Sequence, residues 1–190
     1  MRMKWFWAII FVILCTCLVA VYMMLPGQQL GLPTVASVNM ERYMGEWYEI
    51  ARLPNRFEKN SIYGNVKAEY KMNSKKGYVE VHNSYQDQNG EVKSAKGIAF
   101  VTDPETNSKL KVSFFPVLKY WGVGSAPYYI IELDEKNYKY AMVGSPDRKY
   151  LWILARSKAL PTLTYNSLVK RAQELGFETQ SLFVNPIEKK

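Results

Sequence analysis

Two strings far apart in the chain constrain its fold more than anything else in it: Gly45-Glu46-Trp47-Tyr48-Glu49-Ile50-Ala51-Arg52 and Tyr150-Leu151-Trp152-Ile153-Leu154-Ala155-Arg156. Each reads as a strand, the first entered through a short helical turn at 40–44. A Trp at the start of one strand and an Arg at the end of another meet only if the sheet curls until its two ends are neighbours. A guanidinium on an indole face contributes about 0.5–2 kcal/mol, more where water is excluded. Such a contact closes the bottom of a small barrel.

From Trp47 onward, short alternating runs separated by turn signals mark an all-β barrel or sandwich. Strands are predicted at 47–53, 63–72, 77–85, 92–102, 109–115, 127–133, 138–144 and 150–156, with turns at 73–77, 88–90 and 103–104. After Arg156, Pro161 and Thr162 open a helix. Leu163, Leu168 and Leu175 are its expected buried positions, Lys170 and Arg171 its exposed ones, and Gly176 its C-terminal cap. A short strand is expected near 181–184. The chain shows no repeat and no low-complexity tract.

Alternation assigns the faces. In the second strand Val66, Ala68 and Tyr70 share one face, and Lys67, Glu69 and Lys71 share the other. The first set points into the barrel. The same logic turns inward Val79, Val81 and Asn83, then Ala95, Gly97 and Ala99, then Leu110, Val112 and Phe114. A barrel of this size is either packed solid by large side chains or holds a ligand. The cluster of small residues argues for a cavity; the alternative is that aromatics opposite them fill the space. The lining is apolar with few polar groups, so the expected guest is mostly hydrocarbon.

The 190 residues suit one domain (38–190) behind a leader and tether (1–37), and 48% hydrophobic residues suffice for a core. The net charge of +8 includes Arg2 and Lys4 of the leader. A basic domain meets nucleic acid, an anionic membrane or an anionic ligand. No Arg/Lys-dense helix or RNA-binding strand motif is present, so no nucleic-acid partner is expected. Most lysines read as solvated strand faces. The two cysteines, Cys15 and Cys17, lie in the leader, which leaves the domain without a disulfide, a thiolate nucleophile or a cysteine metal site. His82, the single histidine, alternates with valines and faces outward with Glu80. Without a second His or a carboxylate cluster, neither metal nor cofactor is expected.

After Arg2 and Lys4, residues 5–25 are uncharged and end at Pro26-Gly27. As a helix they would span about 31 Å, the thickness of a bilayer core. Basic residues before the run keep the N-terminus cytoplasmic and send the rest outward. Residues 28–38 lack charge and read as a tether. Three readings stand: an uncleaved signal anchor, a lipoprotein signal with Cys17 as the lipidated residue of Leu14-Cys15-Thr16-Cys17, and ordinary cleavage near Ala20. All three place the domain outside the cytoplasm, facing the periplasm where it stays attached to a membrane.

The paired strings resemble those of a lipocalin: Gly45 and Trp47 match the family's Gly-x-Trp motif and Arg156 its terminal Arg. The resemblance runs from Val38 to about Val184. It is strongest toward the bacterial outer-membrane lipoprotein branch, in 42–52, 110–115 (Leu110-Lys111-Val112-Ser113-Phe114-Phe115) and 145–156. It implies an eight-stranded up-and-down antiparallel β-barrel with one C-terminal α-helix packed outside. It also places Gly45, Trp47 and Arg156 at the closed end. In the last strands, where both faces are apolar, it turns inward Tyr128, Ile130, Ala141, Val143, Tyr150, Trp152 and Leu154. The family's middle motif, Thr-Asp-Tyr, is degenerate here, with Asp134 nearest to its Asp and the Thr and Tyr absent. The implied role is storage or transport of fatty acids or lysophospholipids for envelope maintenance, from an outer-membrane lipoprotein or an inner-membrane anchor.

The end opposite Trp47 and Arg156 collects the loops 54–62, 86–91, 116–126 and 145–149. They carry Arg56, Lys59, Lys119, Arg148 and Lys149 among Phe57, Leu118, Tyr120 and Trp121. A basic rim over an apolar cavity suits a long tail with an anionic head. It also suits an anionic bilayer, where each nearby Lys or Arg contributes about 1 kcal/mol. Asp87, Glu91 and Asp147 dilute the effect, and charged loops are ordinary. Two other functions compete with this one. Lipocalin prostaglandin synthases use a thiolate inside the barrel, and this barrel has none. Glu49 and Glu132 are candidate buried carboxylates with raised pKa, but a single carboxylate without a paired acid or base makes no catalytic set, so no enzyme is expected. An assembly module would use the aromatic mouth loop. Oligomeric state is left open.

Overall fold

The computed structural model describes residues 31–55, 65–87, 89–114 and 124–185. Asn39 starts the first helix, α1 (Met40–Tyr43), by accepting the Arg42 amide on its side chain at 3.0 Å. The strands follow as β1 (Gly45–Arg52), β2 (Lys67–Asn73), β3 (Tyr78–Gln86), β4 (Val92–Val101), β5 (Lys109–Ser113), β6 (Ala126–Leu133), β7 (Tyr140–Gly144) and β8 (Leu151–Ala155). Helix α2 (Thr162–Glu174), a 3-10 turn (Thr179–Ser181) and β9 (Phe183–Val184) are the last elements among the described residues. The sheet runs β2-β3-β4-β5-β6-β7-β8-β1-β9, and β1 also pairs with β2, so β1 to β8 close into an antiparallel barrel.

One edge of β1 has two partners. Gly45 to Tyr48 pair with β2, whereas Ala51 and Arg52 pair with Val184 and Phe183 of β9. Against β8 the register of β1 slips between Glu49 and Ala51. That extra residue bends the strand and shifts its side-chain parity. Glu49 lies opposite Leu154, and after the slip Arg52 lies opposite Trp152, so both face inward. A second slip in β6, between Ile130 and Glu132, returns Leu133 to the interior and turns Glu132 out.

Two apolar cores result. One fills the barrel around Tyr43, Trp47, Val79, Ile130 and Val143; the other lies between the outer wall (Ile131, Met142, Leu151, Ile153) and Leu168, Ala172 and Phe177. Gly144 permits the second, because a Cβ there would stand 2.9 Å from the Phe177 ring and 2.9 Å from the Tyr150 carbonyl. Gly176, the residue after the Leu175 cap of α2, has a φ of +85° that suits the left-handed position past a helix terminus.

Some expectations fail for local reasons. Leu163, expected to be buried, is 86% exposed in the first turn of α2; Ala172, one turn after Leu168, takes the buried place instead. Arg171, placed on the exposed part, is half-buried and pairs with Glu132 at 2.9 Å. β7 begins at Tyr140, not Tyr138, because Tyr138 has φ +56° and closes the turn onto the Asp134 carbonyl at 2.7 Å. The last part of the segment read as a tether is docked. Leu32 and Val38 are 4% and 3% exposed, and the Val35 and Val38 amides donate to the Ile130 and Thr106 carbonyls. The packed unit therefore begins at Leu32. Among the described residues no helix is long and apolar enough to cross a membrane. The apolar run 5–25 and Cys17 lie outside them.

Candidate functional site: a barrel closed at one end

Arg156 closes the barrel. Its Cζ lies 3.8 Å from the centre of the Trp47 ring. Its Nη2 donates to the carbonyls of Arg42 (2.7 Å) and Met44 (2.8 Å), Nη1 to that of Glu46 (2.7 Å), and Nε to that of Tyr138 (3.3 Å). The Trp47 indole in turn donates to the Tyr43 carbonyl at 2.8 Å. Arg156 thus satisfies carbonyls at the end of α1 and the start of β1. Gly45 has φ +90°, and a Cβ there would lie 3.4 Å from Arg156 Nη1. Asp134, the remnant of the degenerate motif, accepts the Asn137 and Lys139 amides within its own turn. The Tyr138 hydroxyl accepts the Asn39 amide at 2.9 Å, tying that turn to α1.

Above Trp47 lies a floor of three tyrosines. The Tyr128 hydroxyl is 2.8 Å from that of Tyr43 and 3.1 Å from that of Tyr70. Burial pushes Tyr70 up to about 12 and holds Tyr43 and Tyr128 well above the usual phenol range, so all three stay neutral. Alternation marked Tyr70, and the resemblance Tyr128. Tyr43 was not anticipated, because it reaches the interior from α1 and no strand periodicity points to it.

The small residues divide by depth. Ala68, Ala99 and Ala141 are buried at the closed end, and Ala68 lies opposite Trp47. They make room for that ring and its neighbours, so the interior there is packed. Gly97 is not open space either: a Cβ would stand 2.6 Å from the Ser113 carbonyl and 2.9 Å from the Phe114 ring. Nearer the mouth the inward positions become accessible. Ala95 is exposed, Phe114 is partly exposed, and Val66, Asn83, Tyr128, Tyr150 and Trp152 are half-buried. Tyr150 and Trp152 stack at 5.9 Å with 7° between their planes, giving one wall a broad flat aromatic surface. Val81 and Val112 belong to the packed part.

The charged candidates fall in different places. Arg148 donates through Nε to the Leu175 carbonyl at 3.3 Å, at the C-terminal end of α2 outside the barrel, where a cation also complements the helix dipole. Arg56, Lys59 and Lys119 lie outside the described residues. Glu132 pairs with Arg171 on the outer wall, so it is not a carboxylate of the lumen. Glu49 does face inward and is buried. It pairs with Arg52 Nη1 at 3.3 Å and accepts Asn185 Nδ2 at 2.9 Å, while the Arg52 guanidinium lies 4.6 Å from the Phe183 ring. His82 Nδ1 is 3.9 Å from Glu69 Oε2 on the outer face. The described residues contain no group of side chains that would hold a metal.

Residues 38–186 match the model of the lipocalin-like domain. The chain belongs to the lipocalin family. This lipocalin is 34% identical over 173 residues to the outer membrane lipoprotein Blc of Vibrio cholerae, covering 91% of this chain and 95% of that one. It is 36% identical over 162 residues to temperature-induced lipocalin-1 of Arabidopsis thaliana, with 82% of each chain covered. Among solved structures, insecticyanin of the tobacco hornworm Manduca sexta superposes with a TM-score of 0.64 at 24% identity, over 86% of this chain and 88% of that one. Lipocalins are typically binding and transport proteins for small hydrophobic ligands.

Proposed function

We propose that this lipocalin stores or carries acyl lipids, fatty acids or lysophospholipids, with one chain held in the upper half of the barrel. The observation that carries the reading is the change in packing with depth. Inward residues are fully packed around Trp47, yet partly accessible from Asn83 and Ala95 to Tyr150 and Trp152. Each methylene moved from water into that apolar wall contributes about 0.8 kcal/mol, so the chain supplies most of the affinity. The described lumen holds one acid and one base, Glu49 and Arg52, which neutralise each other. A charged head group is therefore better solvated at the mouth. Arg56, Lys59 and Lys119 are the proposed rim cations there.

The setting proposed is the cell envelope. Relatives named outer membrane lipoproteins and the apolar leader both support it. Cys17 is the proposed lipidation site, with residues 5–25 as an uncleaved anchor the other route to the membrane. Extraction of the purified protein followed by mass spectrometry tests the ligand: about one acyl chain per barrel is expected. A protein that emerges lipid-free and takes up no fatty acid would overturn the reading. Metabolic labelling with palmitate tests the attachment. Label lost in Cys17→Ser supports lipidation, and an unlabelled wild type in the membrane fraction supports the anchor.

A further inference from the structure

The three floor tyrosines carry three O–H protons between them, and their mutual contacts use only two. Tyr128 sits in the middle, 2.8 Å from the Tyr43 oxygen and 3.1 Å from the Tyr70 oxygen. Having one proton, it can donate to one neighbour and must accept from the other, or accept from both. Every arrangement leaves one O–H without an acceptor inside the trio. Among the described residues no other acceptor stands within hydrogen-bonding distance of any of the three. A buried donor left without a partner is costly, so the free proton calls for an oxygen supplied from the lumen. Tyr43 and Tyr70 are buried, whereas Tyr128, on the inner face of β6, is half-buried as a residue and so stands nearest to accessible space.

A second polar group faces the same lumen. Asn83, inward on β3 between Ala68 and Ala95, has a buried Oδ1 with no hydrogen-bond partner. Its neighbours on both sides are alanines, so nothing beside it in the wall offers a bond. A plain hydrocarbon tail would leave both groups unsatisfied.

We propose that the lumen is built for an acyl chain that carries an uncharged oxygen, a keto or hydroxyl group, placed to meet the free tyrosine proton and the Asn83 amide. An ionised oxygen fits poorly, because Glu49 and Arg52 already cancel and the phenols stay neutral. This inference rests on the acyl-lipid reading and adds the chemistry of the chain. A keto oxygen accepts from the tyrosine; a hydroxyl can also donate to Asn83 Oδ1.

The test uses the full chain held in amphipol, with cis-parinaric acid as the fluorescent occupant. It is displaced by stearic acid and by a positional series of keto- and hydroxystearic acids of the same chain length. At least one position is expected to bind about three- to tenfold more tightly than stearic acid, as one added hydrogen bond predicts. Tyr128→Phe, which keeps the ring, and separately Asn83→Leu are expected to lower the ratio of oxygenated-acid to stearic-acid affinity, both acids being titrated into the same variant. If stearic acid displaces the probe and no oxygenated position gains over it, the inference is overturned and the acyl reading stands. If no acid displaces the probe, both fall. A preference that persists unchanged in both variants also overturns the assignment to these residues.

Discussion

The Arg156 guanidinium carbon lies over the Trp47 ring, 3.8 Å from its centre, and the group binds the carbonyls of Arg42, Met44, Glu46 and Tyr138. One side chain therefore joins the last barrel strand to the helical turn before the first. Arg156→Ala is expected to destabilise the fold by about 2–4 kcal/mol, since it removes the stacked cation and strands several carbonyls. Arg156→Lys keeps the charge but loses the planar fork, and is expected to recover less than half of that. Denaturant melts of the three proteins provide the comparison; a loss below about 0.5 kcal/mol in the alanine variant would show that the closure does not depend on this contact.

The inward pair Glu49 and Arg52, 3.3 Å apart, couples β1 to the end of the chain, because Asn185 donates to both the Glu49 carbonyl and its carboxylate. Breaking a buried pair leaves one charge uncompensated. Arg52→Met alone is expected to cost about 3–5 kcal/mol, and the double variant with Glu49→Gln less than the two single losses added. A double-mutant cycle measures this, and strict additivity would mean that the two groups do not interact.

The tyrosine floor predicts a loss of stability in alkali. Unfolded tyrosines ionise near 10, whereas burial holds Tyr70 at about 12 and raises Tyr43 and Tyr128 well above the usual phenol range. Between those values the unfolded chain releases protons that the folded chain keeps, so unfolding becomes easier as pH rises. The contribution is complete below pH 10 and is lost above it at about 1.4 kcal/mol per pH unit for each tyrosine held neutral. Tyr70→Phe should flatten the slope in melts between pH 9 and 11.5. An unchanged slope would show that Tyr70 titrates normally.

The head-group proposal predicts a separation by charge. Replacing Arg56, Lys59 and Lys119 together with Gln should weaken anionic lipids more than a neutral lipid of equal chain length. It should also reduce the salt dependence of binding, because screened surface charges are what is removed. Titrations at low and high ionic strength check it; equal losses for both lipids with the same salt dependence would leave the rim a solvated surface.

The positions of the strands and the inward faces of β2, β3 and β5 could be read from alternation, because apolar residues on them recur with a period of two, whereas the order of the strands came with the resemblance. The bulges at Ile50 and Ile131 could not. A period of two carries no mark of where an extra residue enters, yet those two residues decide that Arg52 points in and Glu132 points out. Small residues were ambiguous for a different reason. An alanine shows that space exists beside it, not what occupies the space; Trp47 does so beside Ala68, and Phe114 beside Gly97. Tyr43 was hidden because its place on the floor depends on how α1 crosses the closed end.

The central claim is that the ligand sits in the upper lumen, beside Ala95 and above the tyrosine floor. Ala95 faces that space from β4, is exposed, and has no part in the packed core, so a large side chain there would occupy the site without disturbing the closed end. The most direct measurement is the titration of a fluorescent fatty acid into wild type and Ala95→Trp, with thermal melts of both. Saturable binding of one ligand per chain is predicted for wild type, with at least a roughly tenfold loss in the variant and an unchanged melt. Equal binding by the two proteins would contradict the account.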